Sequence, residues 1–248
     1  MIEQKGGTPL LNTLPTVAIV IVYLLAALLP ALFLMHYIYR KDTVEKEPKG
    51  LLTGLVFLGV AAALVAVVFE TLGQGVLNAF LGEDDPAYTI LFAFLVVAVV
   101  EEGAKFLFLR WRTWRDPNFN YRFDGIVYAV FLSLGFAAFE NISYVMGYGL
   151  TAALFRALLS IPAHMGFAVF MGVFYARAKR CSDEGNRGGK RRNLWAAFLI
   201  AVLLHGFYDA CALMGTVLAT LLFAAFVIAM YIVVIRLVKK ESKSDQPV

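Results

Sequence analysis

The chain has 248 residues, of which 60% are hydrophobic and 16% are charged, and its formal net charge is +4. Soluble domains carry about 45–50% apolar and about 25% charged residues, so this composition excludes an ordinary soluble protein. Cys181 lies in a basic segment and Cys211 in an apolar one, so no disulfide framework is indicated. The composition therefore predicts a membrane protein without structural disulfides.

Apolar segments recur along the whole chain, and each is about as long as a bilayer-spanning helix, which needs about 20 apolar residues. The pattern predicts an all-α, polytopic transmembrane helix bundle of about seven spans, forming a single integral membrane domain over residues 1–248. The first segment exceeds the apolar core of a signal peptide, which has about 7–15 residues, so we expect it to be retained. The segments cover about residues 14–39, 51–81, 87–111, 123–148, 152–179, 193–213 and 216–238.

Lysine and arginine residues are concentrated at alternate connections between these segments. The positive-inside rule assigns the basic connections to the cytoplasm, which places the N-terminus outside and the C-terminus in the cytoplasm. Residues 180–193 are predicted as a basic, Gly-rich cytoplasmic loop and residues 239–248 as a polar tail. Because orientation alone explains the basic loop, we expect no nucleic-acid partner.

Ionisable side chains lie inside the apolar segments. A charged side chain at the centre of a spanning helix costs about 2.5–3.5 kcal/mol on insertion scales, so it indicates a functional site with partners on other helices. Helical spacing places Glu101 and Lys105 on one face of the third segment. The intramembrane groups are Glu101, Glu102 and Lys105, then Glu140, His164, and the i,i+4 pair His205 and Asp209.

The balance of these groups limits the chemistry. Four carboxylates against one lysine cannot stay ionised in a dry site, so protons, water or a divalent cation must compensate them. Two histidines and several carboxylates suit zinc. Alternatively, one carboxylate acts as general base on water while histidine and Asn141 polarise a carbonyl. Pro162 is expected to kink the fifth segment just before His164.

Five motifs lie in the apolar segments: Glu-Glu-x-x-Lys at 101–105, Phe-Asp-Gly at 123–125, Gly-Phe-Ala-Ala-Phe-Glu-Asn at 135–141, Pro-Ala-His at 162–164 and His-Gly-Phe-Tyr-Asp at 205–209. In type and order they resemble the PrsW family of intramembrane proteases, and Glu47-Pro48 adds to the resemblance. The resemblance extends over about residues 37–210. This family resembles the wider superfamily of CAAX prenyl proteases and bacteriocin-processing proteins, which often has a histidine where this chain has Glu140-Asn141.

The resemblance implies a protease domain with its catalytic helices within about residues 87–213. Either Glu101 or Glu102 would be the base that activates water, and the other a ligand or hydrogen-bond partner. A glutamic mechanism would need no metal, whereas a zinc-type site would use Glu102, Glu140, His164 and His205. The implied catalytic residues are Glu101, Glu102, Glu140, His164, His205 and Asp209, with Lys105 and Asn141 supporting them.

The resemblance also implies a substrate: a single-pass membrane protein in the lipid bilayer, such as a membrane-anchored anti-sigma factor. We expect the chain in a bacterial or archaeal cell membrane, with its oligomeric state open. Two rivals use the same residues: a cation or proton transporter or channel, and a non-catalytic membrane partner protein. Glu70, Gln74 and Asn78 share one face of the second segment, where they either face the outer headgroups, which we favour, or line a cavity.

Overall fold

The computed structural model describes residues 16–83 and 85–248, and these are almost entirely helical. A π-helical segment, Phe92–Ala98, joins α3 to α4. The helices in chain order are α1 (Thr16–Lys41), α2 (Lys49–Phe80), α3 (Pro86–Leu91), α4 (Val99–Thr113), α5 (Arg122–Tyr148), α6 (Leu150–Leu158), α7 (Ser160–Asp183), α8 (Arg187–Leu213) and α9 (Val217–Lys243).

The predicted helix bundle is confirmed, since the described residues of the seven apolar segments are helical apart from Leu81, Leu159 and Thr216. Six helical ranges among the described residues are long and apolar enough to cross a membrane: α1, α2, α5, α6 with α7, α8 and α9. The remaining predicted span is divided into α3, the π segment and α4. Residues 14 and 15, and the N-terminus that was predicted to lie outside, are not among the described residues.

Helix α5 is the centre of the bundle. Every residue from Phe123 to Ala138 is buried, and the helix packs against α1, α2 and α7. Glycines allow two of these contacts: a Cβ at Gly59 would overlap the backbone of α5, and one at Gly172 would overlap the backbone at Gly125. Such close approach of backbones is how membrane helices gain packing energy. It fixes α5 and α7, which carry Glu140 and His164.

The predicted kink in the fifth segment is present, three residues before Pro162. Helix α6 ends at Leu158, and α7 begins at Ser160. Proline has no backbone N–H and cannot bond the carbonyl four residues earlier, which belongs to Leu158. The hydroxyl of Tyr231 on α9 donates to that carbonyl instead, at 2.7 Å. The break therefore has its own hydrogen-bond partner and redirects the chain between α6 and α7.

The loop predicted over residues 180–193 is wrong in its bounds, because α7 continues to Asp183 and α8 begins at Arg187. The Asn186 side chain caps α8 by accepting a hydrogen bond from the Gly189 N–H at 2.8 Å. This cap satisfies a free N–H of the first turn and lets a Gly-rich stretch be helical.

The tail predicted over residues 239–248 also differs in part, because α9 continues to Lys243. The backbone after it is docked: the carbonyl of Gln246 accepts a hydrogen bond from the Arg122 N–H at 3.0 Å. The tail thus holds the first turn of α5.

Candidate active site

Four buried side chains from three helices meet inside the bundle. One ligand atom from each lies within 4.8 Å of the others, and all four residues are buried. Because α4, α7 and α8 each contribute, the cluster exists only when the three helices are packed. We call it the midplane cluster; its members are Glu101, Glu102, His164 and His205.

Lys105 neutralises part of the midplane cluster from one turn along α4. Its ammonium nitrogen lies 2.9 Å from Glu101 Oε2 and 2.8 Å from Glu102 Oε1. It also lies 3.2 Å from His164 Nδ1 and 4.0 Å from the centre of the Phe136 ring. The side chain is 1% exposed, so no bulk water reaches its charge. The predicted charge partner is therefore in contact with both carboxylates.

This lysine also determines the orientation of the proton on His164. An ammonium group can only donate, so the Nδ1 atom of His164 must accept from Lys105. The ring proton then belongs on Nε2, which lies 3.1 Å from Glu140 Oε2 and donates to it. Glu140 thus fixes the imidazole of His164 through Nε2. The Nδ1 lone pair points in the opposite direction, towards Lys105 and the midplane cluster. This is the arrangement that outer carboxylates give to metal-binding histidines.

His205 lies between two carboxylates. Its Nδ1 atom is 2.9 Å from Glu102 Oε1, and its Nε2 atom is 3.2 Å from Asp209 Oδ2. The Phe167 ring stacks on the imidazole at 4.9 Å and limits its rotation. The expected i,i+4 contact between His205 and Asp209 is present. Asp209 therefore contacts Nε2 of His205 in the same way as Glu140 contacts Nε2 of His164.

Arg156 is a residue of this region that the sequence analysis missed. Its terminal nitrogen forms an ion pair with Glu140 Oε2 at 2.8 Å, and its Nε donates to Asn141 Oδ1 at 3.0 Å. The guanidinium also stacks on the Tyr144 ring at 4.1 Å. A lone arginine in an apolar segment needs a carboxylate partner, so its position in the fifth segment could have identified Arg156 as a partner of a buried carboxylate.

Asn141 contacts other helices rather than the midplane cluster. Its Nδ2 donates to the backbone carbonyl of Ala27 on α1 at 2.8 Å, and its Oδ1 accepts from Arg156. Both polar ends of the amide are thus engaged. This geometry supports a structural role for Asn141.

A cavity of about 580 Å³ opens beside the midplane cluster. Of the two adjacent carboxylates, Glu101 lines this cavity, whereas Glu102 lies behind it and is 1% exposed. Glu70 of α2 also lines the cavity, so the favoured expectation that it faces the outer headgroups is wrong. The other polar residues in the wall are Glu140, Tyr144, Arg156, Ser160, His164, His205, Tyr208, Asp209 and Thr220.

The midplane cluster fits a divalent metal ion in residue type and spacing. Two imidazoles and two carboxylates are zinc ligands, and Glu102 Oε2 is buried without a hydrogen-bond partner among the described residues. The four residues that lie together differ in one member from the predicted zinc ligands, because Glu101 rather than Glu140 is beside the other three. Lys105 contacts three of the same ligands, so its ammonium group would compete with a metal ion.

Residues 47–237 match the family model described as PrsW family intramembrane metalloprotease. The chain belongs to the PrsW family. It is similar to the protein named Protease PrsW of Clostridioides difficile, with 34% identity over 84% of this chain and 86% of that protein. The proteins of the same name from Oceanobacillus iheyensis and Bacillus subtilis are each 32% identical, over 88% and 74% of this chain and 95% and 79% of theirs. No solved structure shows significant similarity to the chain.

Membership of the PrsW family confirms the resemblance predicted from the motifs. The chain is therefore an intramembrane protease and an integral membrane protein, and the relatives named above are bacterial. Such a protease acts on a substrate embedded in the lipid bilayer. The family description specifies a metalloprotease, and the midplane cluster is a buried group that could bind the metal ion.

Proposed function

We propose that this PrsW protease hydrolyses a peptide bond of its substrate at the midplane cluster, with Glu101 as general base. The observation that carries the proposal is the different placement of two neighbouring carboxylates: Glu101 lines the cavity, and Glu102 is enclosed behind it. A general base must reach the water whose proton it takes. Only Oε2 of Glu101 contacts Lys105, so its other oxygen is available to a water molecule.

Glu102, His164 and His205 would hold the metal ion, together with Glu101 in the resting site. When bound, a zinc ion would polarise the scissile carbonyl and acidify the attacking water. Zinc is the ion that this mixture of imidazoles and carboxylates favours. Glu140 and Asp209 orient the two imidazoles through the ring nitrogens that face away from the cluster.

Proton movement can be assigned to the chain's own residues. Glu101 takes the proton of the water as the carbon–oxygen bond forms, and it returns that proton to the leaving amine when the peptide bond breaks. Lys105 stays protonated and holds the Glu101 carboxylate in place through the 2.9 Å contact. One carboxylate thus serves first as base and then as acid.

The cavity supports a substrate that is locally unwound. An α-helix with its side chains is about 10–12 Å across, and its peptide bonds are enclosed by its own hydrogen bonds. A 580 Å³ cavity has room for only a few substrate residues, and an unwound stretch would expose its peptide bonds to the midplane cluster. The proposed substrate is a single-pass membrane protein, such as a membrane-anchored anti-sigma factor, whose helix unwinds near the cavity.

The test compares Glu101→Gln with the matched control Glu83→Gln, which changes an exposed glutamate outside the spans. Each protein is reconstituted in liposomes with a set of single-pass reporter proteins, and fragments are measured over time. We expect Glu101→Gln to lower the cleavage rate by about 10²–10⁴-fold, the range of a general base, while Glu83→Gln cleaves normally. Wild-type rates in Glu101→Gln would remove the base assignment.

A further inference from the structure

A second groove lies on the outer side of the bundle between α4 and α8, away from the catalytic cavity. Its volume is about 510 Å³, and its wall is mainly apolar. Leu107 and Trp195 in this wall are 66% and 58% exposed, so the groove faces the surroundings of the bundle rather than its interior. We call it the α4–α8 groove; its apolar wall is Gly103, Phe106, Leu107, Leu194, Trp195 and Phe198.

Four cations surround the basic end of the α4–α8 groove: Arg110, Arg187, Lys190 and Arg191. None of them has a carboxylate within 4.0 Å in the part of the chain that the structure describes. The Trp114 ring brings two of them close to each other, because Lys190 and Arg110 both lie over its face, at 5.0 Å and 5.9 Å.

Neighbouring cations of the same end are arranged differently. Arg112 pairs with Asp116 at 2.6 Å, and Arg180 pairs with Glu184 at 2.7 Å. The positive-inside rule explains why this end is basic, but it applies equally to paired and unpaired cations. Arg115 and Arg192 also lack a carboxylate within 4.0 Å among the described residues, so what distinguishes the four cations is that they line one apolar groove together.

The position of these cations on α8 adds to their electrostatic cost. Three of the four lie in the first two turns of that helix, where the positive end of the helix dipole also repels cations. Like charges placed together without an anion repel one another. A bound anion would therefore stabilise this end of α8, and the chain itself does not supply one among the described residues.

The shape of the groove indicates which anion. From Arg110 the wall continues along α4 to Gly103, a distance of about 10 Å at 1.5 Å per residue. A soluble phosphate would use the cations and leave this apolar wall exposed. Basic pockets between transmembrane helices on the cytoplasmic side bind anionic headgroups. We propose that the α4–α8 groove binds an anionic phospholipid of the cytoplasmic leaflet, with its phosphate at the four cations and one acyl chain along the apolar wall.

This lipid would lie behind the catalytic helices. Gly103 directly follows Glu102 on α4, and the Phe198 ring lies 3.7 Å from where a Gly103 Cβ would be. Phe198 is on α8, two turns before His205. A bound acyl chain would fill the space between the helices that carry three members of the midplane cluster. We therefore expect anionic lipid to raise the thermal midpoint of the protein.

The experiment measures lipid selectivity at Trp195. In a Trp111→Phe/Trp114→Phe background, Trp195 is the remaining tryptophan, and brominated phospholipids that contact it quench its fluorescence. The protein is reconstituted in phosphatidylcholine with increasing brominated phosphatidylglycerol, and the binding constant relative to brominated phosphatidylcholine is obtained. We expect phosphatidylglycerol to be favoured by about fivefold or more, since each nearby cation attracts anionic lipid by about 1 kcal/mol.

The matched variants remove three charges each from the same end of the bundle. Arg187→Gln/Lys190→Gln/Arg191→Gln should reduce the selectivity to near one. Arg236→Gln/Lys239→Gln/Lys240→Gln, which changes exposed cations of α9, should leave it unchanged. Equal losses in both variants, or a relative constant near one in the parent protein, would overturn the proposal.

Two competitors, added to the quenching experiment, test whether the groove binds a different ligand. Soluble glycerol phosphate should not restore the unquenched signal; if it does, the site binds a free phosphate ester and the lipid proposal fails. A single-pass reporter helix should not relieve the quenching either. Relief at one helix per protein would identify the groove as a docking site for the substrate and would also overturn the proposal.

Discussion

Two clusters of buried carboxylates occur in the part of the protein that the structure describes, and their partners differ. In the midplane cluster, Lys105 contacts Glu101 and Glu102 at 2.8–2.9 Å, and His205 adds a second contact to Glu102. The second cluster consists of Asp42, Glu47 and Asp124, which are 1–3% exposed. It lies at the basic end of the bundle, where α1 ends and α2 and α5 begin. We call it the basic-end cluster.

The basic-end cluster contains no comparable ion pair. Glu47 accepts a hydrogen bond from the Tyr128 hydroxyl at 2.6 Å, and its carboxyl group is within hydrogen-bonding reach of Asp124. Both carboxylate oxygens of Asp42 lack a hydrogen-bond partner among the described residues, and Lys46 donates to the Asp42 backbone carbonyl instead. Burial raises the pKa of Glu47 to about 7 and that of Asp42 to about 6.

The comparison separates two ways of burying a carboxylate. Partner cations balance the charge of the midplane cluster, and one of its carboxylates lines a cavity where a proton can be exchanged with water. In the basic-end cluster, burial and neighbouring acids instead disfavour the charged form, which raises the pKa of Glu47 and of Asp42. Burial alone therefore does not indicate catalysis; a carboxylate that is both charge-balanced and open to a cavity does.

The largest effect should come from Glu102→Gln. Removing one partner of a buried ion pair leaves the other charge uncompensated and costs about 3–5 kcal/mol. We expect this variant to lose cleavage and to unfold at a lower temperature, whereas Glu101→Gln loses cleavage with a smaller change in stability. Thermal unfolding in detergent and reporter cleavage measure both. A Glu102→Gln protein as stable as the wild type would mean that Lys105 does not depend on this carboxylate.

Removal of the metal ion should come next. If the midplane cluster binds zinc, a chelator should lower the cleavage rate by at least about 10²-fold, because the ion supplies several kcal/mol of transition-state stabilisation. Adding zinc should restore activity, and Glu47→Gln should respond to the chelator as the wild type does. Zinc content can be measured directly in the purified protein. Full activity in protein shown to be free of metal would favour the glutamic mechanism.

Arg156 should have a smaller effect, because it acts through Glu140 and His164. Replacing it by Gln removes the 2.8 Å ion pair to Glu140 and loosens the carboxylate that orients His164. Loss of such outer partners typically costs about 10–100-fold in metal affinity or activity. Metal affinity and cleavage should fall together, and Arg156→Lys should restore part of both. Arg180→Gln, which breaks a surface pair, is the control; metal affinity unchanged in Arg156→Gln would contradict the positioning role.

The sequence could predict the midplane cluster because ionisable residues are rare in apolar segments. Glu101, His164 and His205 stand out for that reason. Helical spacing also pairs Glu101 with Lys105, and His205 with Asp209. It could not predict that Glu101 rather than Glu140 completes the cluster. The choice depends on how each helix is rotated, and the π segment before α4 changes that rotation.

Other misses have the same origin in packing. Glu70 was expected at the headgroups, yet α2 turns it into the cavity. Arg156 was missed because its partner Glu140 belongs to a different helix, so no spacing along the chain pairs the two. The loop predicted at 180–193 was too long, because a Gly-rich basic stretch is typical of a loop. The Asn186 cap allows part of this stretch to be helical. Composition and spacing therefore predict which ionisable residues lie inside the apolar segments, and the packing of the helices determines which of them come into contact.

The smallest expected effect concerns pH and the basic-end cluster. The folded pKa of Glu47, about 7, exceeds its ordinary value of 4.5, so the folded state holds the proton more tightly than the unfolded state. The free energy of unfolding should therefore fall as pH rises from about 4.5 to about 7 and then level off. Asp42 adds a decline of the same sign that ends near pH 6, its folded pKa.

Glu47→Gln removes the contribution of Glu47 to this pH-dependent decline. It keeps a side-chain oxygen that can accept the hydrogen bond from the Tyr128 hydroxyl. Between pH 5 and pH 7.5, the thermal midpoint of this variant should fall less than that of the wild type. The difference should be about 2–4 °C for each 1 kcal/mol of pH-dependent stability that the substitution removes. Glu83→Gln should retain the wild-type decline. In the double variant Asp42→Asn/Glu47→Gln the decline should be smaller still. An unchanged decline in that double variant would show that the protons are held elsewhere, and the contrast between the two clusters would then rest on geometry alone.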